Sequence, residues 1–369
     1  MLKKRVLHVS AGGLGHGGVS TVIFNIVGSL YEKFDFSCVV FSRNREREDD
    51  FKHYGKVYRL NCYPKNGKRN YFELITRPLK LYFGIKRLCK NNVFDIIHCH
   101  NQRDAWICLL AAKHAGVSIR IAHSHNTNSP KKKNAFEKIY KKVSTFMINK
   151  TANCFVGCSK AACEDLFQND AFFVVPNAVN LQVVEEFKHC RDNGLRFIHV
   201  GRYTYQKNQE FVIQTFSEIC KRYPDSYMYL VGFGENSEIA RLNDMIDDFG
   251  LRNNVEMVPG DKVNVYDYYE KTKYMIFPSR FEGFGIVLLE AQAMGIHCYV
   301  SEHIQGEVDV GLLTFMELRD GPKRWVEKFL NDLEHGCSKR INTEKLSHYS
   351  IDSISKQYEN IYNGNLLNL

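Results

Sequence analysis

Two basic side chains follow an apolar run in the second half of this 369-residue sequence. Arg202 and Lys207 stand in VGRYTYQKN, directly after the predicted strand Phe197–Val200. Arginine binds phosphate as a bidentate fork and lysine binds it as a point charge, so the pair suits a diphosphate. The alternative is two solvated surface cations. It is the weaker interpretation because a ligand cleft is expected where such a strand ends.

A second stretch, FPSRFEGFGIVLLEAQAMG, places two carboxylates around a glycine turn. Glu282 precedes the turn, and Glu290 lies eight residues later in an apolar helix. A carboxylate among apolar residues needs a partner, and the vicinal hydroxyls of a ribose would serve. The simpler interpretations are a structural ion pair for Glu290 and a helix N-terminal acid for Glu282.

The first half begins with a glycine-rich loop, SAGGLGHGGVSTVIFNIV, in which Gly13, Gly15 and Gly18 spell G-x-G-x-x-G. A dinucleotide site also needs an acidic residue at the end of the second strand, to hold the ribose. That strand ends in VVFSRNRE, where Arg43 would suit NADP instead. The loop therefore predicts only backbone amides and a helix N-terminus that face an anion.

Histidines occur in pairs two residues apart, His98 with His100 and His123 with His125. No acidic residue with ligand spacing accompanies them, and the cysteines of CFVGCSKAAC lack the spacing of a zinc site. We therefore predict that the chain binds no metal. His125, in AHSHNTNS, lies past the end of a predicted strand and is the histidine expected near a ligand, although an isolated histidine more often has a structural role.

Lysines surround a helix-like segment, Lys131–Lys150. Its apolar residues recur on one helical face: Phe136, Ile139, Val143, Phe146 and Met147. Two interpretations fit this pattern about equally, contact with an anionic membrane surface or an ordinary helix whose apolar face packs on the core. The surplus of lysine favours the membrane surface.

The charge of the chain is divided unequally. Residues 1–180 carry 29 Lys and Arg against 13 Asp and Glu, and residues 181–369 carry 21 against 28. A half this basic favours an anionic partner, such as a membrane surface, a nucleic acid or a phosphorylated ligand.

The longest apolar run, about eight residues, is too short to cross a bilayer. The apolar stretch in MLKKRVLHVS is too short for an export signal, and twelve cysteines without a regular framework fit a cytoplasmic protein.

The elements that must position these residues alternate between strand-like and helix-like stretches. The predicted strands are Val6–Val9, Phe36–Phe41, Val57–Leu60, Ile96–His98, Ile119–Ala122, Cys154–Gly157, Phe172–Val175, Phe197–Val200, Tyr227–Val231, Val255–Val258, Tyr274–Phe277 and Cys298–Val300. The predicted helices are Val19–Leu30, Phe72–Lys90, Asp104–His114, Ala135–Lys150, Lys160–Phe167, Gln209–Arg222, Glu238–Phe249, Val265–Lys271 and Phe284–Met294. This alternation implies parallel sheets with helices on both faces.

The alternating pattern occurs twice, with a joint at VVPNAVN. We predict an α/β chain of two tandem doubly wound, Rossmann-like domains, residues 1–177 and residues 178–349, with the ligand in a cleft between them. Residues 350–369 carry apolar side chains at helical spacing, and we expect this stretch to pack back on the first domain.

Taken together and in this order, the glycine loop, AHSHN, VVPNAVN, VGRYTYQKN, VGFGE and above all EGFGIVLLE resemble the retaining glycosyltransferases of family 4. That family has the GT-B fold, and the resemblance covers nearly the whole chain. It is closest to bacterial members that build exopolysaccharide, capsule or O-antigen repeats. Two departures stand out: Ser20 replaces a glutamate of many relatives, and Ser301–Leu318 lacks their glycine-rich pattern.

The resemblance implies a role for each matched residue. Arg202 and Lys207 correspond to the pair that holds the donor diphosphate and stabilises the leaving nucleotide. Glu290 corresponds to the carboxylate on the ribose hydroxyls, and Glu282 and His125 correspond to groups at the donor sugar. Further donor contacts are implied for Gly17, Gly18, Gly260, Asp261, Lys262, Gly283, Phe284, Gly285 and Ile286.

The activity implied is transfer of a sugar from a nucleotide sugar, with UDP favoured as the nucleotide, to a saccharide or lipid-diphosphate-linked saccharide. No cofactor, metal or nucleic acid is implied, and the enzyme would work in the cytoplasm at the inner face of the membrane. A UDP-sugar epimerase of the same fold is the first alternative. An NADP-dependent oxidoreductase is the second, and it leaves Arg202, Lys207, Glu282 and Glu290 without a role.

Overall fold

A computed structural model describes residues 3–42, 46–60, 71–127, 135–187 and 194–365, without the side chains of residues 71–75. The chain forms two compact units. The first contains the described residues up to 178 together with those from 351 onward, and the second contains the described residues from 179 to 350. The last helix of the chain thus belongs to the first unit.

The first unit is built on a parallel sheet of seven strands in the order β3-β2-β1-β4-β5-β6-β7. The strands are β1 (Arg5–Ser10), β2 (Asp35–Val40), β3 (Gly55–Arg59), β4 (Ile96–Cys99), β5 (Ile119–Ser124), β6 (Cys154–Gly157) and β7 (Phe173–Val174). Valine, isoleucine and phenylalanine fill its central strands because helices cover both faces. Chain order reverses between β1 and β4, so the connections diverge there and leave a crevice at the carboxyl ends.

The described α-helices of the first unit are α1 (Gly18–Leu30), α2 (Glu48–Lys52), α3 (Tyr71–Asn92), α4 (Ala105–Ala115), α5 (Ala135–Thr151), α6 (Lys160–Leu166) and α14 (Ile351–Asn363). One apolar cluster joins α4 to the sheet, and another contains α1 and α14. On α14 the buried side chains are Ile354, Tyr358, Ile361 and Tyr362. Residues from both ends of the sequence therefore share one core.

The second unit repeats the plan with six parallel strands in the order β10-β9-β8-β11-β12-β13. The strands are β8 (Arg196–Val200), β9 (Tyr227–Gly232), β10 (Val255–Pro259), β11 (Tyr274–Phe277), β12 (His297–Ser301) and β13 (Leu313–Met316). The described α-helices are α7 (Leu181–Phe187), α8 (Gln209–Cys220), α9 (Asn236–Asp248), α10 (Tyr266–Tyr269), α11 (Ile286–Ala293), α12 (Gly321–His335) and α13 (Thr343–Ser347). Here the crevice lies between β8 and β11.

The structure confirms the predicted fold class, with two doubly wound parallel sheets. The predicted bounds of β6 and β11 coincide with the observed ones. The sequence analysis missed β13, a short edge strand that pairs with β12, and the helix α12. Both follow the last predicted strand, Cys298–Val300.

Candidate active site

The loops that follow β8 and β11 meet at the crevice of the second sheet. The first loop carries Arg202 and Lys207, and the second carries Glu282. Lys207 Nζ lies 2.6 Å from Glu282 Oε2, and the two side chains are 16% and 12% exposed. The ammonium also lies 4.5 Å from the centroid of the Phe277 ring. Arg202 is exposed. The crevice therefore presents one exposed and one sheltered cation.

Hydrogen bonds on both sides of Lys207 fix one of these loops to the other. Asn208 Nδ2 donates to the Pro278 carbonyl at 3.1 Å, and Gln206 Nε2 donates to the Phe281 carbonyl at 3.0 Å. The Arg280 amide donates to the Gln206 carbonyl at 2.8 Å. Asn208 precedes α8 in a left-handed conformation, with φ of 59°, which asparagine tolerates better than most residues. Both sequence neighbours of Lys207 are thus hydrogen-bonded to the other loop.

Glycines end three adjacent strands of the second sheet. The Gly201 and Gly260 amides donate across the strand ends to the Val231 and Gly232 carbonyls, at 3.0 and 2.9 Å. A Cβ at Gly232 would overlap the Gly201 carbonyl, and one at Gly260 would lie 3.0 Å from the Gly232 amide nitrogen. The strand ends pack closely because none of these residues has a side chain. Asp261 is half-buried and Lys262 is exposed immediately beyond.

The glycine turn before α11 exposes the N-terminus of that helix. Gly285 is the residue that precedes it, in a left-handed conformation with φ of 88°. No side chain caps this N-terminus and no acidic residue lies in its first turn. Gly283 and Phe284 are buried, and Ile286 begins the helix. The first amides of α11 are therefore available to an anion.

Glu290 lies in the second turn of α11 beside two tyrosines of α10. Tyr269 Oη donates to Glu290 Oε2 at 3.3 Å. Burial raises the pKa of Glu290 to about 7, an effect that the Tyr269 hydrogen bond partly offsets. The pKa of the buried Tyr266 hydroxyl is also raised, first by burial and then by the nearby Glu290 charge. The carboxyl group titrates near neutral pH, as is common at binding sites.

In the first unit, two serines shape the glycine loop after β1. Ser10 Oγ donates to the Gly13 carbonyl at 2.7 Å, and Ser20 Oγ accepts from the Gly15 amide at 3.1 Å. Gly17 precedes α1, which has no side-chain cap and no acid in its first turn. A Cβ at Gly17 or Gly18 would meet nothing within 4 Å. These two glycines leave open space before the helix N-terminus.

His125 follows the end of β5 in the same unit. Its Nε2 lies 2.8 Å from His100 Nδ1. Burial lowers the pKa of His125 to about 3, so this ring is neutral near pH 7. It can therefore donate one hydrogen bond and accept another, but it does not supply a positive charge for a diphosphate.

The sequence analysis missed the surroundings of His125. His8, His98, His100 and His123 are buried on three neighbouring strands. Two groups, His8/His98/His100 and His100/His123/His125, each bring ligand nitrogens within 4.8 Å of one another. The search for acidic ligands along the sequence could not find these groups. The available signal was a histidine at alternate positions of successive strands, in LHVS, HCHN and AHSHN.

The predicted lysine helix corresponds to α5, but its apolar face is not in the core. Phe136, Ile139, Val143 and Phe146 are exposed, and the buried side chains are Ser144, Thr145, Ile148 and Thr151. The core-facing interpretation is thus wrong for this face. Lys131–Lys133 and Arg43, which bears on the NADP alternative, lie outside the described residues.

Two family descriptions match consecutive parts of the sequence. "Glycosyltransferase Family 4" matches residues 16–183, and "Glycosyl transferases group 1" matches residues 185–310. The two matches together take in Gly17 and Gly18 of the glycine loop, His125 and every predicted site residue of the second unit.

Curated relatives and solved structures also align with most of the chain. A putative glycosyltransferase, EpsF of Bacillus subtilis, is 28% identical over 92% of this chain and 90% of its own. The Escherichia coli UDP-Gal:alpha-D-GlcNAc-diphosphoundecaprenol alpha-1,3-galactosyltransferase is 24% identical over 72% of this chain and 76% of its own. HepE of Anabaena, solved in complex with UDP-glucose, superposes with a TM-score of 0.77 at 15% identity, covering 98% of this chain and 99% of that one.

Proposed function

Since the chain belongs to glycosyltransferase family 4 and has the GT-B fold, we propose that it moves a sugar from a nucleoside diphosphate sugar to a saccharide or lipid-linked saccharide. The products would be bacterial surface polysaccharides such as capsule or exopolysaccharide, as expected from its similarity to a capsular polysaccharide biosynthesis glycosyltransferase, CapH of Staphylococcus aureus. The observation that carries the proposal is the pairing of Lys207 with Glu282 beside the exposed Arg202 at the crevice of the second sheet.

The two cations would act on the leaving group. When the bond from the sugar to the diphosphate breaks, negative charge develops on the phosphate oxygens. Lys207 and Arg202 would stabilise that charge, and the uncapped N-terminus of α11 would add a fixed dipole. Because the loops are hydrogen-bonded to each other, Lys207 needs little reorganisation when the donor binds. Sheltered, preorganised charges of this kind stabilise a transition state more than solvated ones do.

The two carboxylates would divide the recognition of the donor. Glu282 sits beside the α11 N-terminus and beside Lys207, which suits a contact with hydroxyls of the donor sugar. Glu290, one and a half turns further along the helix, would accept hydrogen bonds from the ribose hydroxyls. The ionised form accepts such bonds best, so donor binding would favour loss of the Glu290 proton. Gly260, Asp261 and Lys262 would lie against the base.

The first unit would supply the acceptor side of the reaction. The amides at Gly17 and Gly18 are open to an anionic group, and neutral His125 is suited to hydrogen bonding at the reacting sugar. Retention of configuration would follow if the acceptor attacks from the face that the diphosphate leaves.

UDP is the nucleotide we propose, because it is named for the Escherichia coli galactosyltransferase and is bound in HepE.

We also propose that α5 rests on an anionic membrane surface, where a lipid-linked acceptor would be found. Phe136 is 73% exposed, Ile139 61% and Phe146 53%, on a helix that also carries exposed Lys138 and Lys142. Exposed apolar side chains flanked by lysines are typical of helices that lie in the membrane interface. Among the described helices, none has the length and apolar content required to cross a bilayer.

A screen of thermal unfolding against UDP-, GDP- and dTDP-sugars and NADPH tests the donor proposal. A ligand that binds only the folded state raises the unfolding temperature, and the rise grows with the logarithm of its concentration relative to its Kd. Stabilisation by UDP-sugars, followed by release of UDP when a saccharide acceptor is added, is the expected result. Stabilisation by NADPH alone would instead support the oxidoreductase. Interconversion of the UDP-sugar without an acceptor would support the epimerase.

A further inference from the structure

Four buried imidazoles, the half-buried imidazole of His125 and one phenol occupy one face of the first sheet. His8 and His98 are register neighbours on β1 and β4, and alternation along the strands brings His100, His123 and His125 to the same face. Tyr362, from α14, covers this face and is fully buried. The strands and α14 thus place side chains from both ends of the sequence in contact. We call the six residues the histidine chain: His8, His98, His100, His123, His125 and Tyr362.

One half of the histidine chain runs from the strand end into the core. His125 Nε2 lies 2.8 Å from His100 Nδ1, and His100 Nε2 lies 2.9 Å from His8 Nδ1. His8 Nε2 lies 3.4 Å from Tyr362 Oη. Each imidazole makes its contact with each neighbour through a different ring nitrogen.

The other half continues from the same hydroxyl. Tyr362 Oη lies 2.8 Å from His98 Nδ1, and His98 Nε2 lies 3.0 Å from His123 Nδ1. His123 Nε2 is buried and has no hydrogen-bond partner among the described residues. The six groups therefore form one unbranched series of five hydrogen bonds, with Tyr362 as the only non-imidazole link.

If the Tyr362 hydroxyl both donates and accepts within the series, only two arrangements of its protons remain. Burial lowers the pKa of every ring in it, so each imidazole is neutral and carries a single N–H. If the protons all point toward His125, every ring is protonated at Nδ1. If they all point away, every ring is protonated at Nε2. The tautomer of one ring is then tied to that of the others.

We propose that the histidine chain sets the tautomer of His125, and that Tyr362 is a positioning residue which acts on His125 through His8 and His100. The proposal rests on the proposed function insofar as His125 takes part in the reaction. The ring nitrogen at which a histidine carries its proton decides whether it donates or accepts toward a substrate, and the bond made by the other nitrogen decides the tautomer. Here that control originates in the last helix of the chain.

The distances fit proton sharing better than a bound metal ion. The linked nitrogens are 2.8 to 3.0 Å apart, whereas tetrahedral zinc at about 2.0–2.1 Å from its ligands holds their nitrogens about 3.3 Å apart. Among the described residues, no carboxylate raises the pKa of any of these five rings. A divalent cation would remain without a counter-charge in the core.

Tyr358 provides a matched control on the same face of α14. Its ring centroid lies 5.9 Å from that of His98 and 6.0 Å from that of His123. Its hydroxyl is buried but has no hydrogen-bond partner among the described residues. Tyr358→Phe therefore removes a hydroxyl from the same environment without breaking the chain, whereas Tyr362→Phe breaks it at its middle.

The test is nitrogen-15 NMR of the full-length chain labelled at histidine, with assignments from single histidine substitutions. In the unsubstituted protein we expect all five rings to be protonated at the same-named nitrogen. Tyr362→Phe should uncouple the His98–His123 segment from the other three rings and change the tautomer population of His125, and Tyr358→Phe should change neither. His8→Phe, which cuts a different link, should alter His125 in the same way and replaces Tyr362→Phe if that variant does not fold.

Mixed tautomers in the unsubstituted protein, or an unchanged His125 in the folded Tyr362→Phe or His8→Phe variant, would overturn the proposal. So would stoichiometric binding of Co²⁺ with the absorption spectrum of tetrahedral cobalt.

Kinetics provide a second readout. We expect Tyr362→Phe to lower kcat at least about tenfold with the donor KM unchanged, and Tyr358→Phe to leave both unchanged. Absence of transferase activity in the unsubstituted protein would count against the proposed function alone, because the NMR result does not depend on turnover.

Discussion

Lys207 and Glu282 are 75 positions apart in the sequence, yet Lys207 Nζ lies 2.6 Å from Glu282 Oε2. The two side chains are mostly sheltered from solvent, and each supplies the other with a nearby counter-charge. A diphosphate in the crevice would give Lys207 a second anionic partner and leave Glu282 free to accept from a sugar hydroxyl. The two side chains of the ion pair are thus already in position before a ligand binds.

Removal of the sheltered cation should abolish transfer. We expect Lys207→Ala to lower kcat with a UDP-sugar by at least about 100-fold, because the charge on the leaving diphosphate loses a fixed partner. Circular dichroism should show an intact fold. The control is Lys221→Ala, which removes a lysine whose partner Glu218 is 2.5 Å away on the exposed end of α8. Near-normal turnover of Lys207→Ala would remove this lysine from the site.

Removal of the α11 carboxylate should weaken donor binding. We expect Glu290→Ala to raise the donor KM roughly 10- to 100-fold, the loss that follows when hydrogen bonds to a charged acceptor disappear. The acceptor KM should not change. Initial rates at varied UDP-sugar concentration provide the measurement, and an unchanged donor KM would mean that Glu290 has a structural role only.

Glu290 should also make stability depend on pH. Its pKa is about 7 in the folded chain and about 4.3 in an unfolded one, so the folded state holds the proton more tightly. The contribution of Glu290 to the free energy of unfolding therefore falls as pH rises from about 4.5 to about 7. Glu290→Gln removes this dependence. We expect the difference in Tm, variant minus unsubstituted protein, to be more positive at pH 8 than at pH 5. Equal differences at the two values would contradict the raised pKa.

The exposed face of α5 should be required for membrane contact. We expect the double variant Phe136→Ser, Phe146→Ser to reduce cosedimentation with anionic vesicles at least about tenfold, because both rings would enter the interface. Its Tm should not change, since neither side chain is in the core. Lys138→Gln with Lys142→Gln should weaken binding in a salt-dependent way. Phe315→Ser, at an exposed site on β13, is the control for lost surface apolarity. Full binding by the serine double variant would disprove the membrane proposal.

Much of the fold was predictable because its strands are short apolar runs between clear helices. The strands β8 and β11 were predicted within one residue at each end, and this placed Arg202, Lys207 and Glu282 at strand ends. The edge strand β13 was not predicted, since four residues with one neighbouring strand carry too weak a pattern.

Two features could not be predicted from spacing alone. The apolar stripe of α5 has the same period whether it faces the core or an outer surface, so periodicity cannot decide which. The histidine chain depends on how β1, β4 and β5 align, and on Tyr362 more than 230 residues after the last of its histidines. The spacing of histidines within a single strand does not predict how neighbouring strands align.

The position of α14 has a consequence for the order of events during synthesis. Lys4 Nζ donates to the Tyr362 carbonyl at 3.0 Å, and Lys33 Nζ lies 2.6 Å from Glu359 Oε2, so the start and the end of the chain complete one core. Domains generally fold as their residues leave the ribosome, the N-terminal one first. In this chain the first unit cannot close until α14 has been synthesised, and the second unit, which lies between its two parts in sequence, is the first whose residues are all available.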